Sequence, residues 1–105
     1  MKQQYDYEIV VDSQLGPRHG TLSMEETDGV ISGVLSLLSF ENSVTGKREG
    51  KLLCLHHKLR TLVSQLTCRT DLEMQENSLM GTIHSEFGSM KIHGQKKQET
   101  EHTTA

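Results

Sequence analysis

Residues 20–37 read GTLSMEETDGVISGVLSL and contain the clearest structural signal in the chain. Asp28-Gly29 predicts a two-residue hairpin turn, because both central positions of a type I′ turn need positive φ, which Asp and Gly tolerate. Folding the chain at this turn pairs Leu22 with Leu35 and places the apolar side chains on one face. Hydroxyl and carboxylate side chains occupy the other face, so the stretch predicts an antiparallel hairpin with one buried side.

The C-terminal half predicts two further hairpins that share one strand. A turn at Glu76-Asn77 and another at Phe87-Gly88 both use the strand formed by residues 79–86. The second turn pairs Ile83 with Ile92, and both turns assign this strand the same inward face. Because a slip of one residue would turn that face to water, the agreement favours this register.

Glycines inside these strands indicate curvature. Gly20, Gly33 and Gly81 each come two residues before an apolar residue of the inward face. Glycine within a strand often permits a tight bend, as small barrels require. We therefore predict an all-β fold, an antiparallel meander of about seven or eight strands that forms a small closed or nearly closed barrel. Closure would remove exposed strand edges.

Domain limits follow from length and composition. The 105 residues suffice for one domain, which we place at residues 1–95. Residues 96–105 contain no apolar side chain before the final alanine, and we predict a disordered tail. The leucines of residues 48–66 recur at near-helical spacing, but the segment also permits the alternation of inward and outward side chains that is typical of a strand. Two strands, about 49–57 and 59–66, are favoured, and a helix remains the alternative.

Composition narrows the classes of partner and compartment. The formal net charge of −3 gives no general attraction to nucleic acid or to anionic lipid. The N-terminal residues lack the apolar core of a signal peptide, and no apolar run is long enough to span a bilayer. Two cysteines are too few for a secreted disulfide framework. These observations predict a cytoplasmic protein without nucleic-acid or membrane partners.

No motif in the sequence indicates catalysis. The six histidines lack metal-ligand spacing, and neither Cys-x-x-Cys nor Gly-x-Ser-x-Gly occurs. Thr45-Gly46-Lys47 lacks the upstream glycine of a phosphate-binding loop. The basic stretch around Lys47 and Arg48 has no interleaved aromatic residues to stack on bases. We predict a protein that is not an enzyme and has no catalytic residues, metal site or cofactor.

A weak family resemblance accompanies these patterns. The segments LGPRHGTL (residues 15–22) and ISGVLSLL (residues 31–38) resemble small, uncharacterised bacterial calycin-like, or lipocalin-like, β-barrel proteins. The resemblance implies an eight-stranded barrel whose interior is either filled by side chains or holds one small ligand. The chain has no Trp, so it departs from the Gly-x-Trp signature of lipocalins and from the biotin site of avidin-like proteins.

The preferred functional hypothesis is a non-enzymatic domain that binds a small apolar ligand in its interior. Its mouth would combine apolar walls with a few polar groups, as ligand sites generally do; the candidate residues are Tyr5, Tyr7, Arg18, His19 and Asn42. The alternative is a protein-interaction or homodimerisation module with a packed interior. Its outward patch would include Val10, Val30 and Val34.

Overall fold

The computed structural model describes residues 2–97, and all of their regular structure is β. Eight strands follow one another in a closed antiparallel meander, in which the last strand pairs with the first. This confirms the predicted fold class. No helix within the described range is long and apolar enough to cross a membrane. The strands are β1 (Lys2–Ser13), β2 (Gly16–Thr27), β3 (Val30–Leu37), β4 (Phe40–Glu49), β5 (Leu52–Arg60), β6 (Gln65–Met74), β7 (Ser78–Ser85) and β8 (Gly88–Lys96).

The two best-supported hairpins have the predicted register. Leu22 pairs with Leu35 across β2 and β3, and Leu72 pairs with Gly81 across β6 and β7. Asp28-Gly29 adopts φ values of 53° and 83°, as a type I′ turn requires. The predicted inward face is therefore correct for these four strands.

The predicted pairing of the last hairpin is wrong by two residues. Ile83 pairs with Met90, and Ile92 lies opposite Gly81. The turn forms one residue earlier than predicted because the Ser85 hydroxyl donates to the carbonyl of Gly88, and Gly88 adopts φ 129°. A shift of two residues keeps every side chain on its face, so Ile83 and Ile92 are both buried as expected.

Residues 48–66 form strands, so the helical alternative is wrong. The predicted strand limits are also wrong, because the turns lie at residues 50–51 and 61–64. The leucines with near-helical spacing do not share one environment: Leu52 and Leu62 are exposed, whereas Leu55 and Leu59 are buried.

Strand β8 ends at Lys96, the first residue of the predicted tail. Lys97 belongs to no strand, and the rest of that tail, residues 98–105, lies outside the described residues.

The strands are staggered around the barrel. Starting at Asp12 of β1 and stepping from each residue to its direct partner on the next strand, one passes once around the barrel. The path returns to β1 at Lys2, ten residues from its start. A stagger of this size tilts the strands by roughly 40° to the barrel axis. Apolar side chains fill the interior, and the largest that are fully buried include Tyr7, Ile9, Leu22, Met24, Ile31, Leu55, Leu79 and Ile83.

The two ends of the barrel differ in chemistry. At one end, the loops of residues 14–15, 38–39, 61–64 and 86–87 carry exposed apolar side chains; we call this the apolar end. At the other, the turns of residues 28–29, 50–51 and 75–77 contain glycine and polar or charged residues only; we call this the polar end.

Candidate functional site

The five residues predicted to line a mouth do not converge. Tyr5 and Tyr7 lie on the inward face of β1 near the polar end, Tyr7 buried and Tyr5 partly so. Arg18 and Asn42 lie two residues into strands that begin at the apolar end. His19 is exposed on the outer wall, opposite Val10 of β1. The structure therefore brings together only the two tyrosines.

The buried Asn42 side chain links two neighbouring strands. Its Nδ2 donates to the carbonyl oxygen of Leu35 at 3.1 Å, and its Oδ1 accepts from the backbone N–H of Arg60 at 3.0 Å. The regular β4–β5 pairing begins only at Val44. The side-chain amide thus replaces backbone hydrogen bonds where β4 and β5 diverge. Its nitrogen and its oxygen both have a hydrogen-bond partner.

A cluster of polar side chains lies at the polar end around Tyr5. Arg48 Nη1 approaches Glu26 Oε1 at 2.7 Å and donates to the Tyr5 hydroxyl at 2.9 Å. The hydroxyl also contacts Gln3 and lies 3.2 Å from Glu26. The guanidinium carbon of Arg48 is 5.9 Å from the centre of the Tyr5 ring. We call these four residues the Tyr5–Arg48 cluster.

The sequence analysis missed Glu26 and Arg48, although one signal for Glu26 was present. Glu26 follows Leu22 and Met24 at two-residue spacing, so the predicted hairpin register already placed a carboxylate at an inward position. An inward carboxylate generally requires a basic or hydrogen-bonding partner. Arg48 lies in the basic stretch beside Lys47, and no turn signal there indicates which face of its strand points inward.

The Tyr7 hydroxyl lies next to this cluster and is buried. No side-chain or backbone atom of residues 2–97 forms a hydrogen bond with it. Burial raises the pKa of Tyr7, Tyr5 raises it further, and the positive charge of Arg48 lowers it. The group is thus a neutral phenol with an unused donor, an arrangement that costs roughly 1–3 kcal/mol of folding free energy.

A second buried polar pair lies within the barrel. The Thr70 hydroxyl donates to His57 Nε2 at 2.7 Å, and His57 Nδ1 donates to the carbonyl oxygen of Lys58 at 2.9 Å. Burial lowers the pKa of His57, which favours the neutral imidazole. Cys68, the β6 partner of His57, is buried, and burial raises its thiol pKa. The imidazole is fully hydrogen-bonded to other groups and is not available to activate this thiol.

A surface hollow lies on the outer wall across β4 to β7. It has a volume of about 660 Å³. Leu52 and Met80, 60% and 56% exposed, lie on either side of Glu73 in directly paired positions. The remaining lining consists of Lys47, Glu49, Leu53, Cys54, Asp71, Leu72 and Gly81. We call this surface the β4–β7 hollow; it combines an apolar floor, which Leu52 and Met80 form, with carboxylates, one of which, Glu73, lies between these two side chains.

The Cys54 thiol in this hollow is not an activated nucleophile. Burial raises its pKa, and the neighbouring Asp71 carboxylate raises it further. Reactive cysteines instead have lowered pKa values beside positive groups. Asp71 itself is paired with Arg69 at 3.2 Å and lies 3.4 Å from His84 Nε2.

A second and more polar hollow, of about 480 Å³, lies on the outer wall over β8, β1 and β2. His19 lines it together with His93 and Lys97. Within residues 2–97, no group of three or more His, Cys, Asp or Glu residues is arranged to hold a metal ion.

Comparison of the chain with protein-family models, curated proteins and solved structures found no significant match. The closed eight-stranded antiparallel barrel is compatible with a calycin-like fold.

Proposed function

We propose that this domain is a non-enzymatic protein-interaction module whose β4–β7 hollow receives a large apolar side chain from a basic segment of a partner protein. The observation that carries the proposal is that two exposed apolar side chains, Leu52 and Met80, lie on either side of the Glu73 carboxylate in one hollow. A packed interior fits this role, because the barrel then serves as a rigid support for its outer wall.

The apolar floor supports docking of a side chain. Leu52 and Met80 are each more than half exposed, and the volume of about 660 Å³ lies in the range of binding pockets. Clustered exposed apolar residues with a polar rim are typical of interaction sites, whereas single exposed residues are common on any surface.

The charges of the hollow favour a basic partner over a second copy of this chain. Asp71 is paired with Arg69, but Glu49 and Glu73 still outnumber Lys47, so two copies placed face to face would bring like charges together. A segment with Lys or Arg beside an apolar residue would instead meet opposite charges. These contacts would raise the association rate and fix the orientation of the partner.

The experiment uses a short peptide as a stand-in for the partner segment. The peptide Lys-Leu-Leu-Lys, blocked at both ends, is titrated into ¹⁵N-labelled protein, with Glu-Leu-Leu-Glu and Lys-Ser-Ser-Lys as controls. We expect amide shift changes centred on Leu52, Cys54 and Glu73 with the first peptide only. A Leu52→Ser variant should lose them. Equal responses to all three peptides, or changes confined to other surfaces, would contradict the proposal.

A second candidate function is favoured by the Tyr7 hydroxyl. A small, mostly apolar ligand with a hydrogen-bond acceptor could use this buried donor beneath the Tyr5–Arg48 cluster. Membership of the calycin-like group, which the strand number and meander order support, would fit such a ligand. Native mass spectrometry of the purified wild type and of a Tyr7→Phe variant tests this second function. A small molecule that copurifies with the wild type and is absent from the variant would support ligand binding. If neither protein carries a bound molecule, the result counts against it.

A further inference from the structure

Every hairpin loop at the apolar end exposes a large apolar side chain. Leu15 is 83% exposed and Phe87 is 79% exposed, and Leu62 and Val63 are each 92% exposed. Leu38, at the tip of the fourth loop, is 38% exposed. The three turns of the polar end contain no apolar side chain, although they belong to the same strands. Within the loops themselves, the exposed apolar side chains therefore lie at one end only.

Two of these loops hold their tips by the same device. Ser13-Gln14-Leu15-Gly16 and Ser85-Glu86-Phe87-Gly88 have the same pattern of serine, a Gln or Glu, an apolar residue and glycine. In each, the serine hydroxyl donates to the glycine carbonyl, at 2.6 Å and 3.0 Å. Each serine oxygen also accepts from the N–H of the apolar residue, at 3.2 Å and 3.1 Å. The apolar residue is thus held at the tip in both loops.

The other two loops also fix apolar residues in place. Thr61 Oγ1 accepts from the N–H of Val63 at 3.3 Å and of Ser64 at 3.0 Å, which closes the loop that exposes Leu62 and Val63. Leu38 adopts φ 57°, a left-handed conformation that is strained for a residue with a Cβ. At the polar end the corresponding turn uses Asp28-Gly29, which tolerates these angles. A strained leucine at a loop tip indicates a use for its side chain.

We propose that the apolar end inserts its loop tips into the interfacial region of a zwitterionic lipid surface. Apolar side chains that lie at such an interface penetrate about 5–10 Å into the boundary between headgroups and acyl chains. Separate tips suit this environment, because lipid adapts to each protruding side chain. Tips already held by hydrogen bonds lose little conformational freedom when they insert.

Charge argues for lipid over a second copy of this chain, because two copies that met through these four loops would have no opposite charges to pair. Glu86 is the only charged residue in the four loops. The sequence-based prediction of no membrane partner rested on net charge, which concerns anionic lipid, and on apolar runs too short to span a bilayer. Neither observation concerns loop tips that bind at the surface of neutral lipid.

Cosedimentation with phosphatidylcholine vesicles tests the inference. The variant Leu15→Ser with Phe87→Ser removes two tips, and Leu52→Ser with Met80→Ser is the matched control on the outer wall. Inserting one such side chain strengthens partitioning roughly tenfold, so the tip variant should bind roughly a hundredfold more weakly than the wild type. The control should bind as the wild type does, and equal melting temperatures of all three proteins show that the substitutions act on binding.

The inference is overturned if wild-type protein fails to sediment with phosphatidylcholine, or if the control variant loses as much binding as the tip variant. Binding that increases when phosphatidylglycerol replaces phosphatidylcholine would also overturn it, since Glu86 disfavours an anionic surface. Concentration-dependent dimers, found by light scattering and lost in the tip variant, would assign the tips to a second copy. The control variant removes the apolar side chains of the β4–β7 hollow but keeps the loop tips. Lipid binding by this variant therefore tests the present inference even if the proposed function of the hollow is wrong.

Discussion

Replacing Tyr7 by Phe should stabilise the protein, which is unusual for a substitution in a barrel core. The ring is fully buried and its hydroxyl has no hydrogen-bond partner within residues 2–97. Phe keeps the ring packing and removes only the oxygen. A buried, unpaired donor costs about 1–3 kcal/mol, so the variant should gain a free energy of unfolding in that range. For a domain of this size, each kcal/mol raises the melting temperature by about 4–8 °C.

Urea denaturation and differential scanning calorimetry measure this gain. Tyr5→Phe is the matched control, since the same atom is removed two residues away on the same strand face. The Tyr5 hydroxyl accepts from Arg48 at 2.9 Å, so its loss should destabilise the fold by roughly 1 kcal/mol. The two variants should therefore move in opposite directions. A Tyr7→Phe variant that folds but is no more stable than the wild type would refute the reasoning.

Three further substitutions test other parts of the structure. Gly81→Ala would place a Cβ 1.8 Å from the Asp71 carbonyl oxygen, and it should cost more than about 3 kcal/mol in urea denaturation or prevent folding. Burial lowers the pKa of His57 in the folded protein. Below about pH 6.5 the unfolded chain binds a proton at this histidine and the folded chain does not, so the free energy of unfolding should fall as the pH drops. His57→Gln should flatten this dependence between roughly pH 5 and 7, and an unchanged slope would exclude His57 as its source. Leu38→Asn with Ser39→Gly should add about 1–2 kcal/mol by relieving two positive-φ residues, and no gain would argue against strain in this turn.

The sequence predicted the sheet where turn chemistry and alternation agree. Asp28-Gly29 fixes both the position and the type of its turn, and the predicted pairing of Leu22 with Leu35 is correct. Phe87-Gly88 gave the right face but the wrong partner for Ile83, because alternation has a period of two and cannot detect a shift of two residues. That register is set by hydrogen bonds of the Ser85 side chain, which alternation does not report.

The candidate sites were much harder to predict. The Tyr5–Arg48 cluster joins β1, β2 and β4, so it depends on how non-consecutive strands meet at one end of the barrel. The β4–β7 hollow depends on the strand limits of residues 48–66, where regularly spaced leucines permitted two interpretations. Local patterns determine which face a residue occupies, but a site also requires the stagger of all eight strands.

The seam between β1 and β8 has a consequence for biosynthesis. Strand β1 forms a second row of backbone hydrogen bonds, from Tyr7 to Asp12, with residues 91–96 of β8, the last strand of the barrel to be synthesised. A nascent chain that stops short of this strand exposes two unpaired edges, on β1 and β7, and such edges are templates for aggregation. Nonsense truncation within the final strand should therefore yield insoluble protein rather than a slightly smaller barrel.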